Sequence, residues 1–189
     1  MTSASSNHAD IVVVGTGIAG LATALALARQ GLAVALVGPR APLPPLEPDR
    51  FDPRVYAISP ASRQLLAELG IWDALPANRI AGVRAMEIFG DRPAWGRRPG
   101  RLGLSAWQAG SDYLAWIMES REIERVLRQA VQWSGIRWVA EAFTGAERGP
   151  DRSGWTLQTA GGTTLHARLA VAADGADSRL RAAAARRAP

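Results

Sequence analysis

Hydrophobic and polar positions divide the chain into short elements. Residues 11–14, Ile-Val-Val-Val, form an unbroken β-branched run, the pattern of a strand buried on both faces. Residues 18–30 are rich in Ala and Leu, with no Gly or Pro after Gly20, which predicts a helix. Residues 33–37 predict a second strand behind Gly31. The proline-rich stretch 41–53 is expected to be an extended loop. Residues 54–58 are a short apolar stretch opened by Arg54. Leu65, Leu66 and Leu69 then give a helical stripe that Ser59 or Ser62 could cap and Gly70 would close. Ile71, Trp72 and Leu75 are expected to pack back on the core. Residues 82–90 alternate and predict one strand; 91–101 read as a loop; 102–106 and 113–118 predict strands of an antiparallel piece. Ile123, Val126, Leu127 and Ala130 mark a helix over 120–132. Residues 137–140 predict a strand of the parallel sheet. Residues 142–148, 155–159 and 164–168 predict a small antiparallel meander, turning at Pro150-Asp151 and Gly161-Gly162. Residues 169–173 then re-enter the parallel sheet, and 178–187 start a helix that dissolves into Ala and Arg. The expected class is α/β, a parallel sheet plus a small antiparallel β-meander.

The turn between the first strand and helix carries the first chemistry. Gly15, Gly17 and Gly20 have the spacing G-x-G-x-x-G. In that arrangement Gly15 serves a tight turn, Gly17 lets a pyrophosphate approach the backbone, and Gly20 lets helix and strand pack closely. The first helical amides, those of Ile18, Ala19 and Gly20, face such an anion with a partial positive charge. The flanking strands and helix favour a dinucleotide over the competing reading, a tight turn without a ligand. An acid that accepts from the adenosine ribose is expected at the end of the second strand, where Gly38 stands. Arg40 beside it could hold a 2′-phosphate, which would mean NADP. Alternatively Glu47 or Asp49 could reach back to the ribose, and the sequence leaves the choice open.

Composition narrows the classes. The 189 residues suffice for one domain with a sizeable core, and no apolar run is long enough to span a bilayer. Residues 1–9 are small and polar, without the basic start and apolar run of a secretory signal. There is no Cys, which excludes disulfides and thiolate metal sites and is compatible with a reducing cytoplasm. The net charge is +5, and all 22 basic residues are Arg. They are scattered except at the C-terminal end, so a solvated surface is expected and no nucleic acid is assigned. His8 and His166 have no ligand constellation around them, and no metal is assigned.

Three stretches together resemble a known family. Residues 54–75, Arg-Val-Tyr-Ala-Ile-Ser-Pro-Ala-Ser-Arg-Gln-Leu-Leu-Ala-Glu-Leu-Gly-Ile-Trp-Asp-Ala-Leu, resemble the signature of the ubiquinone-biosynthesis hydroxylases, which are FAD-dependent aromatic-ring monooxygenases. The resemblance implies that Arg54 lies against the FAD pyrophosphate. Residues 113–121 resemble the family's entry to a helix bearing an FAD-contacting Arg, which is Arg121 here; Ser120 stands where relatives commonly have Asn. Residues 172–181 resemble the family's Asp-Gly fingerprint, with Ala172 in place of its first Gly. That likeness implies that Asp174 and Gly175 serve the FAD ribose and the nicotinamide nucleotide.

The resemblance covers the first part of the family pattern only. It implies a Rossmann-like FAD-binding domain over residues 10–181, incomplete, between a disordered start at 1–9 and an Arg/Ala-rich tail at 182–189. The substrate domain and a later Gly-Asp motif are largely missing, so the chain is expected to be a fragment. The implied activity is hydroxylation of a polyprenylated phenol in ubiquinone biosynthesis, with FAD as cofactor and NAD(P)H as electron donor. A cytoplasmic or membrane-peripheral place follows, with association in a ubiquinone-biosynthesis complex. No catalytic residue is named. An NADP-dependent reductase and a non-catalytic nucleotide-binding remnant are the competing readings.

Overall fold

The computed structural model describes residues 7–40, 43, 50–90, 100–149 and 153–185. Glu47, Asp49 and the Pro150-Asp151 turn lie outside the described residues. Where one domain was expected, the chain forms two compact units, Met1–Pro45 with Glu124–Pro189, and Leu46–Ile123.

The first unit is built on a six-stranded sheet. Its strands are β1 (His8–Val14), β2 (Val34–Val37), β8 (Arg137–Val139), β9 (Phe143–Arg148), β10 (Trp155–Thr159) and β11 (Thr164–Ala172). They lie in the order β8-β2-β1-β11-β10-β9. The β8, β2, β1 and β11 neighbours pair in parallel, and β10 adds antiparallel pairs to β11 and β9. Strand β1 has partners on both sides and its last four residues are buried, which is why the run 11–14 is apolar without alternation. The helix α1 (Ile18–Arg29) packs on β1 and β2. On one sheet face Val12, Val14, Ala35, Val37, Val139 and Leu157 form a core closed by Phe143 and by Leu180 of α4 (Arg179–Ala185). Strand alternation turns Val13 and Leu36 to the other face, and both are fully buried.

Three expectations change here. Strand β1 begins at His8, inside the start expected to be disordered: His8 pairs with His166, and the two rings stack at 5.0 Å. The meander is the antiparallel edge of the main sheet, because residues 164–172 are one strand and no turn residue interrupts them. Residues 182–185, expected in the tail, complete α4.

The second unit holds a three-stranded antiparallel sheet, β3 (Val55–Ile58), β7 (Ala115–Glu119) and β4 (Ala81–Val83), in the order β3-β7-β4. A two-stranded sheet pairs β5 (Ala85–Phe89) with β6 (Arg101–Ser105). The helix α2 (Pro60–Glu68) is capped by Ser59, whose hydroxyl accepts from the Ser62 amide at 3.2 Å. Gly70 closes it at φ +66°, and Ile71 and Leu75 are buried behind it. The helix α3 (Ser120–Trp133) starts in this unit and runs on into the first. The single strand expected over 82–90 is two strands in different sheets. The switch falls at Arg84, whose guanidinium lies 5.1 Å from the Tyr113 ring centroid, while its carbonyl accepts from Ala106. Gly82 is required beside it, since a Cβ there would run into the Tyr113 ring.

Candidate functional site

The parallel register places the two glycine motifs at the same end of neighbouring inner strands. Val14 pairs with Ala172, and the Ala173 amide donates to Val14 O at 2.7 Å, so the turn after β1 and the turn after β11 leave side by side. Gly15 adopts φ +118°, and a Cβ on it would collide with the Ala173 carbonyl. A Cβ on Gly20 would collide with the Gly15 carbonyl. Both glycines are therefore demanded by the packing of the protein itself. Gly17 is different. It has φ −78° and ψ 179°, an extended conformation open to any residue, and a Cβ on it would meet no atom within 4 Å. Among the described residues no atom requires a glycine at 17, and a glycine there leaves room for a ligand to approach the backbone. This position heads α1, which has no side-chain cap and no acid in its first turn, whereas α2 has Ser59. The amides of Ile18, Ala19 and Gly20 so form the cationic end of a twelve-residue helix, the donor set an anionic pyrophosphate takes.

Asp174 follows directly from β11. Its Oδ2 accepts from the Arg179 amide at 2.8 Å and from Leu180 at 3.4 Å, so it holds the start of α4, a job the sequence did not announce. Its Oδ1 is buried and has no hydrogen-bond partner among the described residues. A buried carboxylate oxygen left so calls for a donor, and a ribose hydroxyl is one. Gly175 turns the chain away at φ +91°. Burial acts to raise the Asp174 pKa, but hydrogen bonds from Ser178 and from the α4 amides outweigh it and hold the carboxyl below its ordinary value. The charged form is thus bound better in the folded protein than in the unfolded one. The stability it adds is present above the ordinary value of 3.8 and is lost as acidification passes through the lower, folded value. Asp174→Asn keeps an acceptor for α4 and loses the charge. Denaturant unfolding of both proteins across pH should show a wild-type advantage above pH 3.8 that disappears in stronger acid.

The other two expected residues meet in the second unit. Strand β3 pairs with β7 so that Val55 lies opposite Glu119, and the Ser120 amide donates to Arg54 O at 3.0 Å. Arg54 lies against Asp52 there, and Arg121 follows Ser120 at the same corner. The Asp52 carboxylate accepts from the Arg54 amide at 2.9 Å, and its Oδ2 lies 3.6 Å from the guanidinium, which is 81% exposed. The Arg54 amide is the main cause of a lowered Asp52 pKa, with the charges of Arg54 and Arg121 adding to it. Sequence reasoning missed the support beneath this corner. The Asp52 amide donates to Glu119 at 2.6 Å, and Glu119 forms an ion pair with Arg79 at 2.7 Å, both side chains nearly solvent-free. The available signal was Asp52-Pro53-Arg54, in which an Asp that bonds the amide two residues on marks an Asx turn.

Comparison with known proteins fits this geometry. A family profile described as an FAD binding domain matches residues 8–188. The 3-demethoxyubiquinol 3-hydroxylase of Escherichia coli K12 is 32% identical over 175 residues, covering 91% of this chain and 42% of that protein. The ubiquinone hydroxylase UbiM of Neisseria meningitidis is 30% identical, covering 92% of this chain and 37% of that protein. The chain thus spans about two fifths of the curated relatives it matches. Among solved structures, aklavinone-11 hydroxylase in a ternary complex with FAD and aklavinone aligns with TM-score 0.62 and 26% identity over 92% of this chain and 34% of that one. A PqsL variant of Pseudomonas aeruginosa shares the fold with TM-score 0.71 at 18% identity, covering 96% of this chain and 48% of that one.

Proposed function

The chain belongs to the FAD binding domain family, and from that premise we propose that it is the cofactor-holding part of an FAD-dependent aromatic-ring hydroxylase of ubiquinone biosynthesis. Its substrate is a polyprenylated phenol and its electron donor NAD(P)H. The observation that carries the reading is Gly17, a glycine at a helix start that no neighbouring atom requires. The named activities of the ubiquinone hydroxylases it resembles support the reaction class.

Bound FAD supplies the oxygen chemistry; the residues of this chain hold and orient it. The amides of Ile18, Ala19 and Gly20, with Gly15 and Gly17 giving room, take the pyrophosphate. Asp174 Oδ1 accepts a ribose hydroxyl, and Gly175 admits the sugar to the backbone. Within the second unit, Arg54 and Arg121 are the residues we assign to FAD, with Asp52 fixing the turn that bears the first. Among the described residues no helix is long and apolar enough to cross a membrane. The polyprenyl tail of the substrate argues for contact with a membrane surface or with other enzymes of the pathway.

A second reading, an NADP-dependent reductase without flavin, is favoured by Gly38 and Arg40 at the end of β2. One experiment separates the two. The chain loaded with FAD is mixed anaerobically with NADH or NADPH, and the visible flavin band is followed. Bleaching of the band is expected of the cofactor-holding part. A chain that takes no flavin yet binds NADPH tightly would establish the reductase instead.

A further inference from the structure

The end of β2 is where a dinucleotide fold sets the acid that accepts from the adenosine ribose, and this chain has Gly38 there. The backbone acceptors at that place are already engaged. The carbonyl of Gly38 accepts from the Trp138 indole N–H at 3.0 Å, and that of Pro39 accepts from the Thr16 hydroxyl at 2.9 Å. The Gly38 amide donates to Val139 O at 3.1 Å, which ties the strand end to β8. Gly38 has φ +150°, and a Cβ on it would stand 2.8 Å from Thr16 Cγ2, so the turn resists an acid at this position.

A cation stands beside it instead. The Arg40 guanidinium lies 5.2 Å from the centroid of the Trp138 ring, and Arg40 is exposed. Arg128, ion-paired with Glu124, reaches the same ring at 5.8 Å. Stacking on an indole restrains a guanidinium and leaves its N–H edge to meet a ligand. Among the described residues no carboxylate stands at this strand end to accept from a ribose hydroxyl. A phosphate, which only accepts, finds a planar donor.

We infer that Arg40, seated on Trp138, reads the adenosine ribose in this chain and favours a 2′-phosphate on it. The consequence is that 2′-phosphorylated adenine dinucleotides compete with FAD for the glycine turn. This rests on the reading of residues 15–20 as a dinucleotide site. The test uses the full chain with FAD bound, its release followed by flavin fluorescence as NAD+ or NADP+ is added; the two differ by the 2′-phosphate alone. A charge-assisted contact at an exposed site should let NADP+ displace FAD at about tenfold lower concentration than NAD+. Arg40→Ala should erase that difference, and Arg40→Glu should reverse it. Equal concentrations in the wild-type chain, a difference that survives in Arg40→Ala, or displacement by neither nucleotide would overturn the assignment of Arg40 while leaving FAD binding intact. A chain that takes up neither FAD nor NADP+ would overturn the dinucleotide site itself.

Discussion

Gly17→Val should weaken FAD binding by about a hundredfold in a protein that still folds. Valine at 17 replaces a residue in an extended conformation, and its Cβ meets no protein atom within 4 Å. The loss of stability should stay near the difference between helix-capping residues, about 1 kcal/mol or less. The side chain would occupy the space through which a pyrophosphate reaches the first amides of α1. Losing two charge-assisted hydrogen bonds costs roughly 3 kcal/mol, about a hundredfold in affinity. Gly20→Val is the control with the opposite signature. Its Cβ collides with the Gly15 carbonyl, so the fold should suffer by about 3 kcal/mol or more. Thermal unfolding and flavin fluorescence titration of both variants check the pair. Unchanged FAD affinity in Gly17→Val would refute the role given to that glycine.

Arg79→Ala should be the most damaging single change in the second unit. Arg79 and Glu119 keep only 7% and 4% of their side-chain surface in solvent, and Arg79 also lies 4.7 Å from the Phe51 ring centroid. Removing the arginine strands a buried carboxylate, which typically costs about 3–5 kcal/mol. For a chain of this size that corresponds to a fall in melting temperature of roughly 6–20 °C. The damage should reach the turn that bears Arg54, because Glu119 also accepts from the Asp52 amide. The repair is specific. Arg79→Met combined with Glu119→Gln removes both charges and keeps an acceptor for Asp52, and it should recover most of the lost stability. Arg79→Ala with a wild-type melting curve would show that the pair contributes nothing.

The parallel half of the main sheet was legible because its strands are buried on both faces, and the apolar runs at 11–14 and 33–37 say so without any partner being known. Strand β1 nevertheless starts at His8, since its first residues are polar and are held by pairing to β11. The break at Arg84 was invisible because alternation continues through it; Arg84 meets Tyr113, about thirty residues away in sequence, at the change of sheet. The glycine motif was legible as a motif, but its spacing alone does not tell the glycines apart. The fold itself requires Gly15 and Gly20, whereas a Cβ at Gly17 would meet no described atom within 4 Å. Asp174 was singled out for a ribose, yet one of its oxygens serves α4, a role that depends on where the chain turns after Gly175. The corner of Asp52, Arg79 and Glu119 joins residues from three separate stretches, and no local pattern announces such a meeting.

The central claim is that the amides of residues 15–20 and the Asp174 turn hold one adenine dinucleotide between them. Backbone amide NMR of the isotopically labelled chain, titrated with FAD, reads this most directly. The account predicts that the resonances of Gly15 to Gly20 and of Asp174 and Gly175 move together along one saturation curve. Shifts confined to one of the two turns, or two curves with separate midpoints, would contradict it.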